Sequence, residues 1–155
     1  MATGIYLTVT GTTQGKIVGS CTQAGREETV EIHSYSQSVS SPRDETSGRV
    51  IGKRQHSGIA LTAPVDKATP LFLLALTTNE ILSEVLLQFY HTTAEGMEVI
   101  FYTVTLTNAS FSSVSIGADG HGSFDTVAYV LNYQKVEWMW TDGNVSATDD
   151  WMTPV

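Results

Sequence analysis

Apolar and polar residues alternate one for one in several short stretches of the chain. Ile5, Leu7 and Val9 interleave with Tyr6, Thr8 and Thr10, the period-two pattern of a strand with one buried face. Gly11 and Gly15 then mark a turn. Thr29-Val30-Glu31-Ile32 reads as a second strand and runs into a serine-rich polar stretch, Ser34 to Ser41. Residues Pro42 to Gln55 have no periodicity. A polar connection of that length is uncommon inside a compact domain and points to a functional or disordered loop. Ile59, Leu61 and Ala63 resume the strand pattern, which Pro64 ends.

One helix is predicted. Thr69 suits the N-cap, and Pro70 suits the first helical position, where its missing N–H is no loss. Leu71 to Leu76 follow, and Asn79 lies near the end. That run is apolar on every side, so the helix is expected to be buried on most sides and to plug an open end of the fold. Strands then return: Val85 to Tyr90, a turn at Glu95-Gly96, Met97 to Thr107 and Ser110 to Ile116. A glycine-rich turn from Gly117 to Gly122 leads into one long strand, Thr126 to Trp140. Short strands with turn signals at this spacing predict a mainly β fold, a single-domain β-barrel or two-sheet sandwich with one short buried helix. Residues 1–155 read as one domain, without a repeat or a linker.

Composition narrows this picture. A chain of 155 residues, 41% apolar, buries roughly 70% of its unfolded surface and needs no covalent staple. Cys21 is the lone cysteine, so neither an internal disulfide nor a cysteine zinc site is expected. No run approaches the roughly 18–20 apolar residues of a spanning helix, and no membrane insertion is expected. The opening Met1-Ala2-Thr3-Gly4-Ile5-Tyr6 lacks the basic and apolar regions of a signal peptide. The net charge of −8 disfavours nucleic acid as a partner, because phosphate is bound by lysine and arginine. Yet four of the eight cations, Arg43, Arg49, Lys53 and Arg54, fall in the long loop. An acidic protein therefore carries one basic loop.

Reaction chemistry is scarce. Gly48-Arg49-Val50-Ile51-Gly52-Lys53-Arg54 superficially resembles a phosphate loop, but its glycine spacing is one residue short and Arg54 replaces the magnesium-binding hydroxyl. It also precedes a strand. The glycines at 117, 120 and 122 lack the dinucleotide order and read as a hairpin loop. His33, His56, His91 and His121 share no short ligand spacing. No Gly-x-Ser-x-Gly elbow occurs. No catalytic, metal or cofactor residue is predicted, and none of these groups is expected to be bound. The sequons at Asn108 and Asn144 read as chance matches. Aromatic residues gather late in the chain, at Tyr129, Tyr133, Trp138, Trp140 and Trp151. They fit a core or a subunit contact; stacked on a surface they would instead bind sugars, which makes a monomeric carbohydrate-binding β-sandwich the alternative reading. A small hydrolase ranks last.

Three motifs in order carry a resemblance. Thr46-Ser47-Gly48-Arg49-Val50-Ile51-Gly52-Lys53-Arg54-Gln55-His56 comes first, Asp66-Lys67-Ala68-Thr69-Pro70-Leu71 second, and Val136 to Asn144 with Asp150-Trp151 third. With the opening Ile5-Tyr6-Leu7 and Gln14-Gly15-Lys16-Ile17, they resemble the haemolysin-coregulated protein family over essentially the whole chain. One departure stands out: Gly58 and Ile59 occupy positions where that family usually has proline and an aromatic residue. Glycine is far freer than proline there.

The resemblance implies a β-barrel with a helix at its side, similar to contractile-phage tail-tube proteins. It implies homo-hexameric rings that stack into the inner tube of a type VI secretion apparatus. The implied partners are a spike protein, sheath proteins and secreted effectors, and the implied location is the bacterial cytoplasm and then the exterior. Two further expectations concern assembly. The basic loop, with Arg43, Asp44, Arg49, Lys53, Arg54 and His56, is expected to form a ring-stacking contact. Asp142, Asp149 and Asp150 are its expected acidic counterpart at the opposite end of the subunit. Thr103, Thr105 and Thr107 share one strand face, and Ser113 and Ser115 another; small hydroxyl faces of this kind suit a poorly adhesive channel wall.

Overall fold

The computed structural model describes residues 4–121 and 125–150. Among these residues the chain forms β1 (Gly4–Gly11), β2 (Gly15–Ile17), β3 (Val30–Ile32), β4 (Ser34–Ser40), β5 (Gln55–Ala63), α1 (Thr69–Thr77), β6 (Leu82–Thr92), β7 (Glu98–Ala118), β8 (Asp125–Asn132), β9 (Lys135–Trp140) and β10 (Val145–Asp150). All strand pairings are antiparallel.

The strands follow the order β2-β1-β6-β7-β8-β5-β4. β3 pairs with β1 at one end of this path, while β4 pairs with β5 at the other. Only His33 separates β3 from β4, and its backbone N–H donates to Thr62 O at 2.7 Å. The sheet thus returns on itself as a barrel. β9 lies against the first half of β7, and β10 lies outside β9.

Alternation decides what faces inward. Leu7 and Val9, Ile59 and Leu61, Val85 and Leu87, Val104 and Leu106, and Val127, Tyr129 and Leu131 are all buried. Each set occupies every second position of its strand, so each strand turns one face to the core. Tyr129 is wholly buried because its hydroxyl has a partner, Thr69 Oγ1 at 3.1 Å. That bond and the edge-on stacking of Phe72 on Tyr129, 5.3 Å between centroids, pin the helix to the barrel.

The helix differs from its expectation in two ways. Thr69 is its first residue, not its cap. The N-cap is Ala68, which has no side-chain cap bond; Asp66 orders the turn before it, its carboxylate accepting the Ala68 N–H at 2.9 Å and its own N–H donating to Thr69 Oγ1 at 3.0 Å. Nor is the helix buried on most sides. Thr69, Phe72 and Ala75 form its buried stripe, while Leu71 and Leu74 remain 37% and 47% exposed. Only the stripe that packs on Phe111 and Tyr129 is covered.

β7 also departs from expectation. The two strands predicted at 97–107 and 110–116 are one strand of 21 residues. Asn108 joins them with φ 52, a conformation asparagine tolerates, so that Leu106 and Ala109 both face inward. The first half of β7 pairs with β6 and β9, the second half with β8. Conversely, the single strand predicted over 126–140 breaks at Tyr133 and Gln134. Gln134 N–H reaches Thr107 O and Asn108 O, both at 3.3 Å, and its side chain accepts Asn108 Nδ2 at 3.1 Å. This corner turns the chain from β8 back along β7.

Candidate functional site

The loop between β4 and β5 is ordered by its own polar groups. Arg43 and Val50 form an antiparallel bridge. Asp44 N–H donates to Arg49 O at 2.8 Å, and Ile51 N–H to Pro42 O at 3.1 Å. Asp44 Oδ1 accepts Thr46 N–H at 2.8 Å. The N–H groups of Thr46 and Ser47 hold the Asp44 carboxyl below its ordinary range. Gly48 supplies φ 74 at the reversal. The loop is a small projecting hairpin on which Arg43, Arg49, Val50, Ile51 and Lys53 are exposed.

At its root, Arg54 Nε meets Asp149 Oδ2 at 2.7 Å, and Arg54 Nη2 donates to the Asp150 backbone oxygen at 3.0 Å. The sequence reading set Arg54 and Asp149 at opposite ends of the subunit; in the structure they are one ion pair within the chain. Asp150 is engaged as well, since its Oδ2 accepts Gln134 Nε2 at 3.4 Å. Asp142 lies away from them, in the turn after β9, and is exposed. The alternation-free sequence of 145–150 conceals why: these residues form β10, and the hairpin separates Asp142 from Asp149 by the length of a strand.

His56 completes the root. Its side chain is 0% exposed, with Nε2 2.6 Å from Asp149 Oδ2 and Nδ1 2.6 Å from the Tyr133 hydroxyl. Proton directions follow from Trp138, whose indole N–H can only donate. It donates to Gln37 Oε1 at 2.9 Å, as does the Tyr35 hydroxyl at 2.6 Å. The Gln37 amide nitrogen must therefore be the group donating to the Tyr133 oxygen at 2.9 Å. The Tyr133 hydroxyl and His56 Nδ1 share one hydrogen bond, and His56 Nε2 and the Asp149 carboxylate share another. The Arg54 hydrogen bond is the main cause of the low Asp149 carboxyl pKa; burial opposes it and the His56 bond adds to it. Burial pushes the Tyr133 and Tyr35 phenols up.

A tyrosine, histidine and aspartate in series have the look of a nucleophile with its base and orienter. Burial denies them that work, because Tyr133 is 4% exposed and a substrate cannot reach the hydroxyl. Tyr133 and Gln37 were invisible as partners in the sequence, lying 77 and 19 residues from His56 in opposite directions along the chain. Among the described residues no three His, Cys, Asp or Glu groups converge as a metal site.

The remaining expected residues fall on two outer faces. Thr103, Thr105 and Thr107 stand opposite Gln88, Leu86 and Glu84 on β6 and Met139, Glu137 and Lys135 on β9. That face is charged, and Thr103 is buried in it. Ser113 and Ser115 belong to the other sheet. Pairing builds two transverse rows there, Ser34-Thr62-Ala128-Ser115 and Ser36-Ala60-Val130-Ser113. Every member is small, and none is charged. Of the late aromatic residues, Tyr129 and Tyr133 are buried, Trp138 is partly buried and Trp140 is exposed; Trp151 lies outside the described residues.

Fold and site together define a β-barrel bearing a projecting hairpin that is latched to its last described strand. The profile of the family described as "Type VI secretion system effector, Hcp" matches residues 6–140. A protein of Pseudomonas aeruginosa called "Major exported protein" is 35% identical over 170 aligned positions, covering all of this chain and 99% of the relative. Among solved structures, Hcp1 of E. coli EAEC 042, a double mutant, superposes with a TM-score of 0.87 at 26% identity, covering 96% of this chain and 98% of that one. The secreted protein Hcp3 of Pseudomonas aeruginosa gives 0.79 at 28% identity, covering 97% and 99%. The chain belongs to the Hcp family of type VI secretion proteins.

Proposed function

We propose that residues 1–155 form one structural subunit of a type VI secretion inner tube, a non-catalytic protein that leaves the bacterial cytoplasm with the apparatus. Six copies close into a ring, rings stack, and effectors travel inside. Spike and sheath proteins are its partners at the tip and the outside.

One observation carries this reading: the sheet β4-β5-β8-β7 has an uncharged face of small residues and two open edges. β4 pairs only with β5 among the described strands, and residues 110–118 of β7 pair only with β8. Open edges are templates for pairing with another chain. Joining the β4 edge of one copy to the β7 edge of the next is a heterologous contact, which makes a ring when the rotation closes. Six four-stranded sheets at about 4.8 Å per strand give a circumference of about 115 Å and a bore of about 37 Å between backbones. Small side chains on that face keep such a bore open. The channel wall is thus the face of Ser34, Ser36, Ser113 and Ser115, and the Thr103, Thr105 and Thr107 face lies outside it.

The test is a charge placed on that wall. Ser115→Arg should leave ring mass unchanged and reduce effector co-purification; undiminished co-purification rejects the wall.

A further inference from the structure

Tyr90 and Glu98 help to hold a cation of their own chain. The Arg26 guanidinium lies over the Tyr90 ring at 4.1 Å and the Tyr6 ring at 5.0 Å, and its Nη1 meets Glu98 Oε2 at 2.7 Å. Successive residues of a strand face opposite ways. His91 and Val99, the chain neighbours of Tyr90 and Glu98, therefore point to the other side of the β6–β7 hairpin. There they line an open groove of about 800 Å³ with Phe101, Trp140 and Asp142. Rings again stand beside a carboxylate. Trp140 and Phe101 meet edge to face, 5.7 Å between centroids, and His91 meets Phe101 at 5.0 Å. Trp140 is 48% exposed, and no lysine or arginine lines this groove.

We infer that this groove binds a quaternary ammonium group, the trimethylammonium head of choline, carried either by a free solute or by a lipid headgroup. Ring faces attract cations, and the indole of tryptophan attracts them best. Asp142 adds a full negative charge at the same place. The hydrogen-bonding groups select the kind of cation. Thr141 Oγ1 donates to Ile100 O at 2.7 Å, Thr141 N–H to Phe101 O at 3.1 Å, and Asn144 N–H to Thr141 O at 3.4 Å. These lining carbonyls are thus already engaged. A primary ammonium or a guanidinium brings several N–H donors that each need an acceptor. A trimethylammonium group brings none, so it enters such a groove without leaving a donor unpaired.

The groove is complete within one chain, so it does not depend on ring formation. It lies at the end of β9 where Trp140 pairs with Val145, a strand's length from Asp149 and Asp150 and from the residues that follow them. Residues 1–3 precede Gly4, which pairs with Tyr90, and the intact chain is therefore the form to assay. The net charge of −8 favours the approach of a cation over that of an anion.

Calorimetric titration of the intact chain tests this. Choline and tetramethylammonium should both bind in the millimolar range. Neohexanol, the uncharged carbon isostere of choline, should bind at least about fivefold more weakly, because it has the shape of the ligand without the charge that the rings attract. Trp140→Leu should weaken choline binding about fivefold or more, and Asp142→Asn about threefold, with melting curves and native mass like the parent's. Equal affinity for neohexanol overturns the inference, as does undiminished choline binding in Asp142→Asn or in a folded Trp140→Leu. So does an intact chain that takes up no choline at tens of millimolar, whether residues 1–3 fill the groove or the rings do not hold the cation. Vesicles distinguish the source. Retention on phosphatidylcholine but not phosphatidylglycerol vesicles, with release by free choline, assigns the group to a lipid; choline binding without retention assigns it to a free solute.

Discussion

Arg54 binds Asp149 of its own chain, although 95 residues separate them. Two charges that suggest attraction between copies are therefore used to latch the projecting hairpin to β10. Lys53 and Arg54 are neighbours with different tasks. Lys53→Glu should leave thermal stability near that of the parent, since its side chain is exposed. Arg54→Glu should lower it clearly, by setting a carboxylate against Asp149. Melting curves of the two variants check this; equal melting temperatures would contradict it.

The latch also fixes an acid dependence. The Asp149 carboxyl lies below its ordinary value in the folded protein. The unfolded chain therefore binds this proton more readily, and the stability Asp149 supplies is present above about pH 4, the unfolded carboxyl value. It is lost as the pH falls through the lower folded value. Asp149→Asn should be less stable than the parent at pH 7, and the difference should shrink below about pH 4. Urea unfolding at a series of pH values measures it.

Tyr133→Phe removes one oxygen that serves two partners. His56 Nδ1 loses its bond to the hydroxyl and the Gln37 amide loses its acceptor. Leaving buried polar groups unpaired costs about 1–3 kcal/mol. Urea unfolding should show a loss of that size with an unchanged slope, and no change in ring mass if the ring closes through β4 and β7.

Gly58 holds a backbone conformation that proline cannot adopt. Its φ is 84, outside the range a proline ring allows. A Cβ there would lie 2.7 Å from Asn132 Oδ1 and 3.0 Å from Leu131 O. The residue sits where the β4–β5 register slips between Gln37 and Val39. Gly58→Ala should cost more than about 1 kcal/mol, and Gly58→Pro should cost more still. Comparison of urea midpoints tests it.

Much of the barrel was legible because its core-facing strands obey a two-residue period: β1, β5, β6 and β8 all show it. The strands that sequence reading passed over break that rule for physical reasons. β4 turns Tyr35, Gln37 and Val39 one way and serines the other, so its partly buried face is itself polar and satisfied by hydrogen bonds. β10 has no apolar stripe because it is an edge strand with little beneath it. Leu71 and Leu74 look like core residues and are not, since composition cannot say how many sides of a helix meet the barrel. The root of the basic loop was half visible. Arg54 and His56 stood out by their motif, while Tyr133 and Gln37 come to His56 only through the corner at Gln134 and the pairing of β4 with β5.

Native mass spectrometry of the intact chain is the most direct test of self-assembly. The account predicts a species of about 101 kDa, six times the 16.8 kDa monomer, because a closed ring has a fixed count. A monomer that persists at tens of micromolar would contradict it.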